Sequence, residues 1–278
     1  MRRNAVKARP GSADGRRNRA EQRLLAGFGA LLVGFLALPI VGLVATTSWQ
    51  EFVGGLRHPL VWPALRLSLL TTTLSLLIVV SLGTALAWTL ARSGSRVARL
   101  VEIIVELPIV IPPAVAGVAL LLAFGRRGLL AGWLYREGWS VAFTTPAVVM
   151  AEVFVSAPFF VQAATSAFRR VDEDLLVVAR TFGASPWRVF FRIAIPLATP
   201  GLIAGAIMSW ARSLGEFGAT LMFAGNLQGR TQTLPLAIYT ALESELRAAQ
   251  ALSIVLVSVA FALLFGLRAT LRSGAERL

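Results

Sequence analysis

Carboxylates and guanidinium groups one helical turn apart are the residues of this chain that could do chemistry. Glu102 and Glu106 are four residues apart, as are Arg212 and Glu216, and Glu152 stands alone in an apolar stretch. Spacing of i, i+4 puts both members of a pair on one helix face. Two carboxylates so placed could share acid–base work. An arginine and a glutamate could neutralise each other and lock two helices, or open and close as a gate. The rest of the inventory removes most other chemistry. The 278 residues include no cysteine, one histidine (His58) and one lysine (Lys7). That leaves no disulfide framework, no Cys/His metal cluster and little basis for a Ser–His or Cys–His nucleophile, so neither metal nor cofactor is expected. A G-x-x-x-x-G-K-[ST] phosphate loop is impossible, because Lys7 lies near the N-terminus without those glycines. The chain is therefore not expected to hydrolyse ATP through that motif by itself. His58, beside Pro59, reads as a loop residue rather than a ligand.

The elements that must position these groups are apolar. Mean hydropathy is +0.72 and 56% of residues are hydrophobic. A bilayer crossing needs about 20 apolar residues, and six runs qualify: Leu24 to Thr47, Leu65 to Ala91, Ile103 to Phe124, Thr144 to Ser166, Ala198 to Phe223 and Ala248 to Leu267. Period-2 alternation is absent, so the spans are helices that satisfy their own backbones. The fold class is an all-α polytopic membrane protein with six transmembrane helices. The net charge of +13 could suggest nucleic acid, but the placement of the charges argues otherwise. With the N-terminus in the cytoplasm, nineteen basic residues fall inside and five outside. The inner ones are Arg2 to Arg23, Arg92, Arg96, Arg99, Arg169, Arg170, Arg180, Arg188, Arg192 and the three arginines from Arg268 on. The positive-inside rule then puts both termini and the 169–196 segment in the cytoplasm. Residues 1–23 read as a basic cytoplasmic tail, 24–47 as a retained first span and 271–278 as a second tail.

Within the spans, Pro108, Pro112 and Pro113 remove backbone donors, so the third helix must kink or break. Broken membrane helices commonly line a cavity or bury their loose backbone in protein. The hydroxyls of the second span suit helix packing, and Glu152 is expected to face the bundle interior. The fifth span carries Gly201 and Gly205, then Gly215 and Gly218, a small-residue surface for close contact. Arg212 and Glu216 lie in its outer half, where charges are costly unless paired or hydrated. Pro108, Pro112, Pro113, Ser209, Arg212 and Glu216 are thus the candidate lining of a pathway or gate. Trp133, Tyr135 and Trp139 suit the membrane interface.

The polar island from Asp172 to Pro196 is the exception in this apolar chain. Acidic residues 172–174 suit a helix N-terminus, and Leu175, Leu176, Ala179 and Phe182 fall on one expected face. Gly183 breaks that helix. Ser185 then reads as an N-cap with Pro186 at the first helical position, followed by a stripe of Trp187, Phe190, Phe191, Ala194 and Ile195.

This island resembles the coupling loop of importer-type ATP-binding-cassette (ABC) permeases, whose signature is E-A-A-x-x-x-G ending in I-x-L-P. Here it reads V-V-A-R-T-F-G from Val177 to Gly183 and ends in Ile193-Ala194-Ile195-Pro196. The glycine and proline match; Val177 stands where the signature has glutamate. The continuation from Ala179 to Asn226, with G-R-T-Q-T-L-P-L-A-I-Y-T-A-L-E and L-P-I-V-I-P-P-A-V-A-G-V-A-L-L, is similar to the molybdate-type permeases of the sulfate/molybdate branch. The resemblance spans residues 60–270, which would form the permease domain with its coupling loop at 169–196.

It implies a multi-pass subunit of a bacterial or archaeal plasma membrane, paired with a second permease copy in a homodimer. Its partners would be an ABC ATPase dimer, which supplies the hydrolysis, and an extracytoplasmic oxyanion-binding protein. The cargo would be molybdate or tungstate; sulfate or thiosulfate is the alternative, and a membrane-embedded lipid-processing enzyme a distant one. The contact with the ATPase would be made by Ala179, Arg180, Gly183, Ala184, Ser185, Trp187 and Arg188. Trp187, Phe190 and Phe191 are expected to tie the loop rigidly to the membrane helices.

Overall fold

The computed structural model describes the backbone of residues 12–138 and 140–275, and the side chains of 22–133, 136–138, 140–262 and 264–266. The basic residues before Arg23 and after Gly266, with Tyr135 and Trp139, lie outside the described side chains.

The described elements are helices: α1 (Ser12–Ala45), α2 (Trp49–Leu56), α3 (Val61–Arg92), α4 (Arg96–Val110), α5 (Pro113–Phe124), α6 (Ala131–Arg136), α7 (Thr145–Arg169), α8 (Glu173–Thr181), α9 (Pro186–Val189), α10 (Ile195–Leu214), α11 (Gly218–Ala224), α12 (Leu234–Ser244) and α13 (Leu246–Ala275). A π-helical turn at Phe190–Ala194 joins α9 to α10. Proline stands within the first two positions of five of them, at Pro113, Pro146, Pro186, Pro196 and Pro235, and all but Pro196, which follows the π-helical turn, open a helix after non-helical backbone. There its missing N–H has no helical partner to lose.

Residues Met1–Trp49 and Gln50–Leu278 form two units. In the first, α1 presents apolar side chains outward, Leu31 at 75% and Phe35 at 69% exposure among them. Such surface belongs in lipid, and Gln22–Ala45 is long enough to cross it. The expected tail is partly helical, because Ser12 to Arg23 continues into the span without an interruption by proline.

In the second unit α7 is central. It packs along α3 and α10, with α4, α5 and α11 against its other sides. The α7–α10 approach rests on small residues: a Cβ built on Gly205 would sit 2.8 Å from the Ala163 Cβ, and Gly201 faces Ala167. One core joins α3, α7 and the α8–α9 segment through Leu90, Phe160, Phe168, Leu176 and Val189. A second joins α5, α7 and α11 around Val148 and Phe223. A third joins the start of α3 to α12 and α13 around Val61, Leu234 and Leu252.

The third span is broken as its prolines require, and the fifth and last spans differ from the sequence reading. Five described helical stretches are long and apolar enough to cross a membrane alone, and a sixth crossing exists only as the pair α4 and α5, bent by 118° across Ile111 and Pro112. At about 22 and 18 Å by the usual rise, neither half spans the ~30 Å hydrocarbon layer. The fifth span, expected over 198–223, stops at Leu214, and a separate α11 begins at Gly218. The final helix continues through Ala275, so much of the expected 271–278 tail is helical. The stretches after spans one and five are not simple loops, since α2 and α12 form within them.

Candidate functional site

Both helix starts in the polar island are capped as their residue types dictate. The Asp172 side chain accepts a hydrogen bond from Asp174 N at 2.9 Å and opens α8; Ser185 Oγ accepts from Arg188 N at 3.4 Å and opens α9. Between them Gly183 adopts φ +81°, the left-handed conformation that ends a helix at low steric cost. Its N–H donates to Arg180 O at 2.9 Å.

The inward face of α8 is narrower than expected. Leu176 is buried and Ala179 half-buried, but Leu175, which the sequence reading placed on the same face, is 51% exposed and Phe182 87% exposed. Leu175, Val178 and Phe182 fall at i, i+3 and i+7 and form an outward apolar stripe. Trp187, 72% exposed, stacks on Phe191 at 5.9 Å rather than anchoring the loop. Arg180 and Arg188 are exposed beside it. Leu175, Phe182 and Trp187 thus leave three large apolar side chains exposed, flanked by arginines.

Phe190 alone of the three expected anchors performs that role. Its ring lies 5.3 Å from Trp88 of α3 and 6.1 Å from Phe168 of α7. Arg92, one turn beyond Trp88, donates to Phe168 O at 3.0 Å and Val171 O at 3.2 Å. Neither Trp88 nor Arg92 stood out in the sequence; a basic residue ending a long helix was the one local signal.

The candidate gate residues divide. Pro112 precedes the first turn of α5 with Pro113 at its first position, and both lie at the bend, whereas Pro108 sits inside α4. Arg212 is in the last turn of α10, and Glu216 lies in the break beyond it. Their side chains still pair at 2.7 Å, with Glu216 buried and Arg212 partly exposed. Glu216 Oε1 also accepts from Ala219 N at 2.7 Å and so starts α11. The two breaks meet: a Cβ on Gly218 would lie 2.9 Å from Pro113 Cβ. Pro113, Arg212 and Glu216 are thus brought to one region. Ser209 is buried one turn before Arg212, and its hydroxyl has no protein partner among the described residues.

Glu152 is buried between α7 and α3. Its carboxylate accepts from Thr71 Oγ1 at 2.8 Å and Ser75 Oγ at 2.6 Å, hydroxyls one turn apart on α3. Glu102 and Glu106 do not form an acid–base pair: Glu102 pairs with Arg169, and Glu106 accepts from Gln162 Nε2 at 2.9 Å. Both line a cleft of about 250 Å³ between α4 and α7.

Residues 80–273 match the family described as binding-protein-dependent transport system inner membrane component. The chain is 44% identical over 242 residues to the molybdenum transport system permease protein ModB of Mycobacterium tuberculosis, covering 87% of this chain and 92% of that one. It is 36% identical over 247 residues to the molybdate/tungstate transport system permease protein WtpB of Pyrococcus abyssi, covering 88% and 93%. The fold matches a chain of a bacterial alginate ABC transporter in complex with an alginate-pentasaccharide-bound periplasmic protein. There the TM-score is 0.73 at 19% identity, over 92% of this chain and 94% of that one.

Proposed function

We infer that this chain, a member of the family of binding-protein-dependent transport system inner membrane components, is the permease subunit of an ATP-driven importer of molybdate or tungstate. Relatives named for molybdenum and molybdate/tungstate transport, matched over most of both chains, support that cargo. As a transport subunit it works with an ATPase and a substrate-binding protein. We propose that the ATPase partner carries all the hydrolysis, that two copies of this chain form the pore, and that both termini and the α8–α9 segment face the cytoplasm. The excess of basic residues on that side supports the orientation.

The observation that carries the mechanism is the outward apolar stripe on α8 beside the Gly183 turn. In the proposed mechanism Leu175, Val178 and Phe182, with Ala179, Arg180, Ala184, Ser185, Trp187 and Arg188, seat in the ATPase. Closure of the ATPase dimer on ATP then displaces the seated segment. Phe190, packed on Trp88 and Phe168, carries the displacement into the bundle. At the other end, the breaks at Pro112–Pro113 and Gly215–Phe217 are where helices can change direction with the fewest backbone hydrogen bonds lost. Arg212 and Glu216 sit at that point as the gate pair. Selectivity lies mainly in the binding protein, since tight dianion binding inside the pore would slow release.

The test is reconstitution of this chain with its ATPase and binding protein in lipid vesicles. Molybdate-loaded binding protein is expected to stimulate ATP hydrolysis and drive uptake. Stimulation by sulfate-loaded protein with none by molybdate-loaded protein would overturn the cargo.

A further inference from the structure

The segment proposed to seat in the ATPase has two roots in the bundle, and one helix grips both. The incoming root is the end of α7, Phe168 to Val171, immediately before α8. The last carbonyls of any helix lack intrahelical donors. Here Arg92 of α3 adds donors across the helix end, with bonds of 3.0 and 3.2 Å from its guanidinium to Phe168 O, which also accepts from Val171 N, and to Val171 O just beyond the helix. The outgoing root is Phe190, where α9 passes into the π-helical turn. Trp88 of α3 packs against it at 5.3 Å, and meets Phe168 edge-on at the same distance. Trp88 and Arg92 are one turn apart, and the guanidinium lies over the indole at 4.9 Å.

The same helix is held at its other end by polar groups. Ser68 Oγ accepts from Leu234 N at 2.7 Å, at the start of α12. Thr71 and Ser75 hold Glu152, on the stretch of α7 whose Val148, Ala151 and Val155 share a core with Ala219 and Phe223 of α11. An unbroken helix of 32 residues connects the two sets of contacts. Proline sits only at Pro63 in its first turn, and a helix without an interior break moves as a rigid piece. By contrast, α4 and α5 are bent and α10 follows a π-helical turn, so those routes have a compliant point.

We propose that Arg92 and Trp88 are positioning residues that make α3 the element transmitting movement of the α8–α9 segment to the far end of the bundle. This rests on the permease reading above. Neither residue touches cargo; each holds a root of the seated segment to α3, and loss of either uncouples hydrolysis from transport without emptying the docking surface.

The chain has no cysteine, so paired spin labels at Trp62→Cys on α3 and Leu122→Cys on α5, both exposed, report the far end without background. The labelled chain is reconstituted with its ATPase and binding protein, and the label distance is measured without nucleotide and with ATP and vanadate. With Arg92 and Trp88 intact, nucleotide is expected to change the distance. With Arg92→Gln or Trp88→Leu the ATPase still assembles and hydrolyses ATP, but the distance change is lost, and uptake per ATP falls by about fivefold or more, as for a coupling free energy at the low end of its usual range. Arg92→Lys keeps the charge over Trp88 yet presents a point donor to two carbonyls, so it retains part of the response. Two variants guard against one failing to fold. A full distance change and normal uptake in either folded variant overturns the role of that residue, while the permease reading stands. Absence of any nucleotide response with both residues intact overturns the reading on which it rests.

Discussion

Gly218 lies against Pro113, so closely that a Cβ on the glycine would be 2.9 Å from Cβ of the proline and 3.1 Å from Ala114 N. The contact joins the break between α10 and α11 to the bend between α4 and α5. Neither break could be placed beside the other from sequence, since about a hundred residues separate them. Gly218→Ala is expected to cost about 1–3 kcal/mol, the usual range for overpacking, and to lower the thermal midpoint in detergent. Gly215→Ala is the control, because a Cβ there meets only Ala211 O at 3.8 Å.

At Gly183 the constraint is backbone alone: φ is +81° and an added Cβ meets nothing within 4 Å. Left-handed backbone costs a residue with a side chain about 1–2 kcal/mol, and more when it is β-branched. Gly183→Val is expected to uncouple uptake from ATP hydrolysis, and Gly183→Asn, which tolerates this conformation, to retain most coupling. Vesicle uptake measured alongside phosphate release checks both.

Phe182 is 87% exposed, so Phe182→Ala should leave the thermal midpoint of the isolated permease unchanged. If the ring is buried by the ATPase, its loss removes about 1.5–3 kcal/mol. Affinity for the ATPase, read by titration in detergent, is expected to weaken roughly tenfold or more on that account. Phe182→Asp should abolish assembly.

Arg212→Ala leaves Glu216 buried without its cation. The expected loss of stability falls short of the ~3–5 kcal/mol of a fully buried pair, because the Arg212 side chain is 28% exposed. Adding Glu216→Gln is expected to restore part of it, since the amide oxygen still accepts from Ala219 N. Thermal midpoints of the single and double variants give the comparison.

Thr71→Val with Ser75→Ala strips both hydroxyl donors from Glu152 while keeping most of the volume. An unsatisfied buried polar group costs about 1–3 kcal/mol. This pair should therefore lower the midpoint more than Glu152→Gln, whose amide oxygen can still accept from the hydroxyls that remain.

Apolar runs betray spans because lipid demands about 20 of them in a row, and the five single-helix spans and the bent pair α4–α5 were legible from that alone. Asp172, Gly183 and Ser185 were equally legible, since caps and left-handed turns select few residue types. The inward side of α8 was not. Leu175, Leu176, Val177 and Val178 are apolar around more than half the helix, and periodicity cannot separate a face that packs inside from one kept for a partner. The break before α11 was hidden because the apolar run continues through Phe217 to Phe223; Glu216 starts the new helix through a bond to Ala219 N, an outcome of local capping rather than hydropathy. For the gate region, Arg212 and Glu216 were recognisable as a pair, but Thr71 and Ser75 read as packing residues, because Glu152 is about eighty positions away in sequence.

The bare stripe of α8 also bears on the life of the subunit before it assembles. Leu175, Val178, Phe182 and Trp187 are the kind of surface that chaperones hold and proteases inspect. A permease made in excess of its ATPase would display that stripe to the quality-control machinery, and only the docked fraction would hide it. The patch proposed to receive force in the finished transporter would thereby serve, during biogenesis, as the tag by which unmatched subunits are cleared.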